Sequence, residues 1–263
     1  MKGFLVVGAT GVAGTAGIRA IRKCFGGEAK ITGLWYGRSD DHPEIAGADR
    51  VLYGDISSPE TLELIAREAG ERFDWCLFCT AMGDVGFPIS DATAEQIAQS
   101  NRLSFDPILA LEQRFEIGTI IAYSTFYALD HQQISYGAMG HSKHAIECWT
   151  VQHGRSRHVC LRAGAFKSAS SQGIKLLVRR RAKELAESSN PLLRSFFADQ
   201  KPSVAVENLE QAVFEEERRS FGDTGTDLEG LIGAHEMIFS QPDCVFVNVC
   251  GNHIWASSDP QQI

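Results

Sequence analysis

Residues 136–143, YGAMGHSK, place a tyrosine seven positions before a lysine. A phenol can act as a general acid when a nearby cation lowers its pKa toward neutrality. In an unbroken helix, however, seven residues separate the two side chains by about 10 Å, which is too far for strong coupling in a wet site. Because Gly137 and Gly140 can turn the chain where other residues cannot, we expect the helix to begin near His141 and to leave Tyr136 on a loop that folds back toward the site.

Two other interpretations of this segment stay open. Tyr136 is purely structural in the first, and in the second the acid is His141 or His144, since imidazole is competent near neutral pH. The two histidines are three residues apart, but a single pair without a third ligand nearby in sequence is poor evidence for a metal site. We therefore predict no metal, and we expect these histidines to lie on the helix surface.

The elements that must position these residues follow an alternating pattern. Short apolar runs such as FLVVG, KITGLWYG, DWCLFCT, GTIIAYST and RHVCLRAG are separated by helical patterns. Continuous apolar strands between helices indicate a parallel sheet covered on both faces. We predict an α/β Rossmann-type, doubly wound fold in one domain over residues 1–263, with a long helix around 92–114 and a small variable substrate lid over approximately 169–225.

Composition limits the function. The chain has 263 residues and a net charge of −8, which argues against broad binding of nucleic acid or an anionic membrane. Its seven cysteines are scattered and odd in number, which fits a reducing cytoplasm better than a disulfide framework. No apolar run is long enough for a membrane span. We expect a cytoplasmic protein acting on a small molecule.

A glycine-rich segment, GATGVAG, follows the first strand and opens a helix. Gly8, Gly11 and Gly14 are spaced by three, which lets the backbone turn sharply, approach a pyrophosphate and pack the helix on the sheet. The helix N-terminus offers N–H groups and a positive dipole end to phosphates. The sequence therefore predicts a dinucleotide site.

The second strand ends in Gly37 and Arg38 without an acidic residue for a ribose 2′-hydroxyl. A guanidinium at this place pairs with a 2′-phosphate, so we predict NADP(H). The alternative is a solvated arginine in a turn.

Taken in order, these pieces resemble the short-chain dehydrogenase/reductase family over nearly the whole chain. GATGVAG is similar to the family's cofactor loop, Asp55-Ile56 to its adenine contact, and CTAMG to its Asn-Asn-Ala-Gly segment without either Asn. LRAGAFKS is similar to the segment that closes over the nicotinamide, and VFVNVCGN to the last strand. The resemblance implies a cofactor site made of Gly8, Thr10, Gly11, Val12, Gly14, Arg38, Asp55, Ile56, Ala81, Lys143, Ala163, Gly164 and Ser168.

The resemblance also implies catalytic roles. SKHAIE is similar to the helix in which the family's lysine holds the ribose and depresses the pKa of a tyrosine four residues earlier, where this chain has Met139. In this scheme Tyr136 donates the proton, Lys143 holds the ribose, and Asn101 supports the lysine through water. Ser124 or Thr125 orients the substrate oxygen; alignment favours Thr125, distance to Tyr136 favours Ser124, and both could instead only cap the strand end.

The resemblance predicts an NADP(H)-dependent oxidoreductase that reduces a ketone or aldehyde of a small or biosynthetic metabolite, as a homodimer or homotetramer by analogy. Two rivals are a catalytically degenerate NADP(H)-binding sensor or partner subunit, supported by the broken tyrosine–lysine spacing, and an epimerase or dehydratase. Two roles stay open for four apolar residues of the predicted lid, which either line a substrate pocket or dock the lid on the body. They are Leu192, Leu193, Phe196 and Phe197.

Overall fold

The computed structural model describes residues 1–37 and 44–263, and within them eight strands form a single sheet. The strand order is β3-β2-β1-β4-β5-β6-β7-β8, with all neighbours parallel except the antiparallel pair β7 and β8. The order reverses between β1 and β4, and in open α/β sheets ligands bind in the crevice outside the carboxyl ends of the strands at such a point. The doubly wound α/β fold predicted from the sequence is confirmed.

The strands are Lys2–Val7 (β1), Ala29–Trp35 (β2), Arg50–Tyr53 (β3), Arg72–Phe78 (β4), Glu116–Thr125 (β5), Arg157–Ala163 (β6), Phe246–Cys250 (β7) and His253–Ser257 (β8). The α-helices are Val12–Phe25 (α1), Pro59–Ala69 (α2), Ala94–Ser104 (α3), Asp106–Arg114 (α4), Asp130–Gln133 (α5), Gly137–Thr150 (α6), Ala169–Arg180 (α7), Ala182–Ala186 (α8), Pro191–Phe197 (α9), Pro202–Phe221 (α10) and Leu228–Ser240 (α11).

Each face of the sheet has its own apolar core. Helices α1 and α11 pack on one face, around residues such as Ile18, Ile21 and Leu231. Helices α2, α4 and α6 cover the other face, where Ile65, Ile108 and Trp149 pack on the strands. Burial on both faces explains why the central strands are continuous apolar runs rather than alternating ones.

Three predicted boundaries are wrong. The helix expected around 92–114 is two helices that meet at Phe105, because Pro107, in the first turn of α4, has no N–H with which to continue the hydrogen bonding of α3. Helix α6 begins at Gly137 and not near His141. The run VFVNVCGN is not the last strand, since the antiparallel edge strand β8 follows it.

The predicted lid region folds into helices α7 to α10 with a small apolar cluster of its own. Leu193 and Phe197 are buried in this cluster with Val178 and Leu209, and Leu192 and Phe196 pack against it. The cluster includes Ile134, which precedes α6, so the four apolar residues dock the lid on the body.

Candidate active site

The turn between β1 and α1 depends on glycine at two positions. Gly8 has a φ of 78°, and a Cβ there would lie 3.1 Å from the Cys79 carbonyl group. A Cβ on Gly14 would lie 2.3 Å from the Gly8 oxygen. Both positions therefore exclude larger residues and hold α1 directly against the loop.

The start of α1 is open to a ligand. Thr10 and Gly11 are exposed, and Val12 is the first helical residue. The N-cap residue Gly11 provides no side-chain hydrogen bond, so the N–H groups of the first turn and the positive end of the helix dipole are available to an anion.

A cleft of ≈ 120 Å³ lies beside this loop at the carboxyl ends of β1 to β4. Asp55 and Ile56 both line it. One Asp55 carboxylate oxygen accepts hydrogen bonds from the backbone N–H (2.9 Å) and hydroxyl (2.7 Å) of Ser57, which fixes the side chain. The full lining is Val7, Gly8, Leu34, Trp35, Tyr36, Gly54, Asp55, Ile56, Thr80, Met82 and Leu103.

The remaining predicted cofactor residues lie around the same edge. Ala81 follows β4 between two cleft residues. Ala163 ends β6, and the Gly164 N–H donates to the Val249 oxygen over 2.8 Å. Ser168 caps α7, its hydroxyl accepting from the Ser171 N–H over 3.0 Å. Arg38, on which the NADP(H) prediction depends, lies outside the described residues.

The two hydroxyl residues that the sequence left unseparated point to opposite faces of β5. The Ser124 hydroxyl donates to the Glu147 carboxylate over 2.7 Å. The Thr125 hydroxyl donates to the Ala163 oxygen over 2.9 Å, next to the segment expected at the nicotinamide. Consecutive strand residues alternate in direction, so only one of these hydroxyls shares a face with Tyr136.

The side chain of Tyr136 lies next to that of Thr125. The residue lies at the N-cap of α6, and its phenol lies close enough to the Thr125 side chain for that hydroxyl to lower the pKa of the phenol. Burial raises the pKa of Tyr136 to about 12; the Thr125 hydrogen bond lowers it and the negative charge of Glu217 raises it further. Gly137, with a φ of 49°, provides the turn that brings the tyrosine here.

Lys143 is buried and directed to the strand. Its ammonium group donates to the Tyr123 carbonyl oxygen over 2.8 Å. Burial lowers the pKa of Lys143 to about 8, although the nearby Cys160 and Glu147 raise it. The expected depression of the tyrosine pKa by this lysine is absent, since the pKa of Tyr136 is raised.

Met139, four residues before Lys143, is buried beside the CTAMG segment. Its Cβ would lie 3.2 Å from a Cβ on Gly83. Asn101 accepts a 2.8 Å hydrogen bond from Ser142 and so ties α3 to α6 next to the lysine. Neither side chain provides an acid.

The two histidines of α6 are half-buried and hydrogen-bonded, and not solvated as expected. His141 meets the Ile89 oxygen at 3.0 Å, and His144 meets the Tyr127 hydroxyl and the Gln261 oxygen, each at 3.2 Å. Over residues 1–37 and 44–263, no three metal-ligating side chains come together.

Sequence reasoning missed three polar residues beside Tyr136 and Thr125. Glu217, on α10, is fully buried and accepts from the Ala165 N–H over 2.7 Å. Gln132, on α5, is buried with its amide 3.5 Å from the Thr125 hydroxyl. Gln261 donates to the Thr125 carbonyl oxygen over 2.7 Å. No sequence signal marks them, because each lies in an ordinary polar run.

Solved structures share this arrangement of elements. An NAD+-bound xylitol dehydrogenase superposes with a TM-score of 0.62 at 16% identity, covering 94% of this chain and 96% of its own. A levodione reductase gives 0.59 at 14% identity, covering 95% and 96%. The ligand-free aldohexose dehydrogenase of Thermoplasma acidophilum gives 0.58 at 14%, covering 94% and 92%. The chain has the short-chain dehydrogenase/reductase fold.

No protein-family model and no curated protein sequence matches the chain. Within the short-chain dehydrogenase/reductase fold, the described residues bring Tyr136 and Thr125 together and direct Ser124 and Lys143 elsewhere. No helix in the described part of the chain is both long and apolar enough to cross a membrane.

Proposed function

We propose that this protein is an NADP(H)-dependent oxidoreductase that reduces a ketone or aldehyde of a small or biosynthetic metabolite. The observation that carries the proposal is the contact between the phenol of Tyr136 and the hydroxyl of Thr125 at the carboxyl end of β5. A general acid and an orienting hydroxyl, side by side next to the Ala163–Ser168 segment, form the polar part of a carbonyl site.

The nucleotide end supports a dinucleotide cofactor. The close backbone approach at Gly8 and Gly14, the uncapped start of α1 and the adjoining cleft provide the contacts that a pyrophosphate and an adenosine need. When bound, such a cofactor supplies a hydride. The preference for the 2′-phosphorylated form rests on Arg38 alone.

The protein's own residues would handle the proton and the orientation. Thr125 would turn its hydroxyl from the Ala163 oxygen to the substrate oxygen, and Tyr136 would donate its proton to that oxygen. With a pKa near 12, Tyr136 is protonated at neutral pH and ready to donate. Lys143 lies on the same end of the sheet, where a ribose hydroxyl would compete with the Tyr123 carbonyl for its ammonium group.

The test is NADPH-dependent reduction of a panel of ketones and aldehydes by the purified protein, followed at the nicotinamide absorbance. Tyr136→Phe removes only the acidic proton, so kcat should fall by about 10²–10⁴-fold, while the Kd for NADPH changes little. Tyr53→Phe, on a half-buried tyrosine of β3 that is not one of the residues lining the cleft, is the matched control and should leave kcat close to the wild-type value. Turnover that survives in Tyr136→Phe would contradict the assigned acid, and a preference for NADH would contradict the role of Arg38.

A catalytically degenerate cofactor-binding protein is the second candidate. It is favoured by Met139 at the position four before Lys143 and by the bond from the lysine to the Tyr123 oxygen. Tight NADPH binding without turnover of any carbonyl in the panel would select this function over the first.

A further inference from the structure

Gln132 lies between the orienting hydroxyl and the candidate acid. It belongs to the short helix α5, in the connection from β5 to α6, and only 4% of it is exposed. Its backbone oxygen accepts the N–H of Tyr136 over 2.9 Å. The backbone of Gln132 therefore helps to position the tyrosine.

The side-chain amide of Gln132 is only half used. Its nitrogen lies 3.5 Å from the Thr125 hydroxyl oxygen, at the long limit of a hydrogen bond. Its oxygen is buried and has no hydrogen-bond partner among residues 1–37 and 44–263. A buried acceptor left unpaired has lost its hydration without gaining a replacement hydrogen bond, and unpaired groups of this kind in native structures often mark a ligand or water site.

The position of the unpaired end defines where a ligand group would lie. The two ends of one carboxamide are side by side, so the free oxygen adjoins the Thr125 hydroxyl that would face a substrate carbonyl. With the substrate carbonyl facing Thr125, a group on the adjacent carbon would be the part of the substrate nearest to the side-chain oxygen of Gln132. A hydroxyl suits it, because a hydroxyl can both donate to an amide oxygen and accept from an amide nitrogen.

The charge near the site selects against an anion. Glu217 is fully buried beside Ala165, has no cationic partner in the described part of the chain, and acts electrostatically on Tyr136. In its ionised form Glu217 would repel a substrate carboxylate next to the reacting carbonyl, and in its protonated form it provides no cation to pair with one. Gln132 itself is neutral and provides no compensating charge.

We propose that Gln132 is a specificity-determining residue that binds a hydroxyl on the carbon next to the reacting carbonyl, so that the substrate class is neutral α-hydroxy ketones and aldehydes. The inference rests on the proposed function. In the reaction the carbonyl carbon gains a hydride from NADPH, which is oxidised to NADP+, and the oxygen gains the proton of Tyr136. The product is a 1,2-diol, and Tyr136 is reprotonated from solvent.

The experiment compares acetoin with 2-butanone, and hydroxyacetone with acetone, as NADPH-dependent substrates. Each pair differs only in the α-hydroxyl, so the ratio of kcat/KM within a pair isolates the contact. The wild-type ratio should exceed about 10, since a site built to bind a hydroxyl strongly rejects the analogue that lacks it. Gln132→Met keeps the length of the side chain and removes the amide, and its ratio should fall to about 1.

The neighbouring Gln133 provides the matched control, because its amide donates to the Ala128 oxygen over 3.1 Å and not to Thr125. Gln133→Met should keep the wild-type ratio. Turnover of both members of a pair at equal kcat/KM, or a preference that survives in Gln132→Met, overturns this inference and leaves the proposed function standing. Failure of the wild-type protein to reduce any of the four ketones, while it reduces other members of the carbonyl panel, overturns this inference alone. Failure across the whole panel overturns both. If Gln132→Met does not fold, the ratio of kcat/KM measured on the wild-type protein alone tests this inference.

Discussion

Two fully buried carboxylates lie on opposite sides of the end of β5, and they differ in what surrounds them. Glu147 is held by the Arg162 guanidinium through two hydrogen bonds of 2.9 and 2.7 Å. Among the residues that the structure describes, Glu217 receives only neutral donors, namely the Ala165 N–H, the Thr224 hydroxyl at 3.0 Å and the Cys250 thiol at 3.7 Å. Burial raises the pKa of Glu217 despite these hydrogen bonds.

The two carboxylates therefore belong to different hydrogen-bond networks. The Glu147 network joins parts of the fold, and the Glu217 network adjoins the candidate site. Glu147 also accepts from the backbone and the side-chain amide of Gln261, both at 2.8 Å, so it ties the C-terminal residues to β5 and α6. Glu217 instead connects the lid helix α10 to the segment beside Tyr136. The adjacent residues Ser124 and Thr125 face these two environments, which is why neighbours in sequence have different partners.

Removal of the Arg162 guanidinium should have the largest effect. Arg162→Ala leaves Glu147 as an unpaired buried charge, and breaking such a pair costs about 3–5 kcal/mol of unfolding free energy. Equilibrium unfolding in urea measures the loss.

The exposed ion pair between Arg72 and Glu116 provides the control, with side chains 81% and 68% exposed. Arg72→Ala should change the unfolding free energy by less than about 1 kcal/mol. Equal losses in the two variants would mean that the buried Arg162–Glu147 pair contributes no more to stability than an exposed ion pair.

Ser124→Ala and Thr125→Val should separate stability from turnover. Thr125→Val keeps the shape and removes the hydroxyl beside Tyr136, so carbonyl reduction should fall by about 10²–10³-fold. Ser124→Ala removes a hydrogen bond to buried Glu147 and should cost about 1–3 kcal/mol of unfolding free energy, with a much smaller loss of turnover. Kinetics and urea unfolding on both variants measure the split. The reverse pattern would make Ser124 the orienting hydroxyl.

The sequence predicts best what the backbone and apolar burial dictate. The order of strands and helices and the tight turn at Gly8 and Gly14 follow from apolar runs and glycine spacing. The directions of polar side chains were not predictable, because they depend on partners distant in sequence. The acidic run around Glu217 has the pattern of a solvated helix face, and only the packing of the lid helix α10 buries that one carboxylate.

The predicted start of α6 was wrong for a related reason. Two glycines favoured a long loop before His141, but only Gly137 has a positive φ. Gly140 is required for close packing, since a Cβ there would lie 2.3 Å from the Ile89 side chain. One residue type can thus signal a turn or a tight contact, and the sequence does not distinguish them.

The smallest expected effect tests the second carboxylate through pH. Because the pKa of Glu217 is raised in the folded state, the folded protein holds this proton more tightly than the unfolded chain. Its contribution to stability is complete below the ordinary pKa and is lost as pH rises through the raised folded pKa. Glu217→Gln removes that loss and keeps an acceptor for the Ala165 N–H. Relative to wild type, its unfolding free energy should therefore increase as pH rises from the ordinary glutamate pKa through the raised pKa of the folded state. Glu215→Gln, on the exposed side of the same helix, should show no such trend. A difference that shrinks with rising pH would mean that the folded protein stabilises the ionised form of Glu217 and not its protonated form.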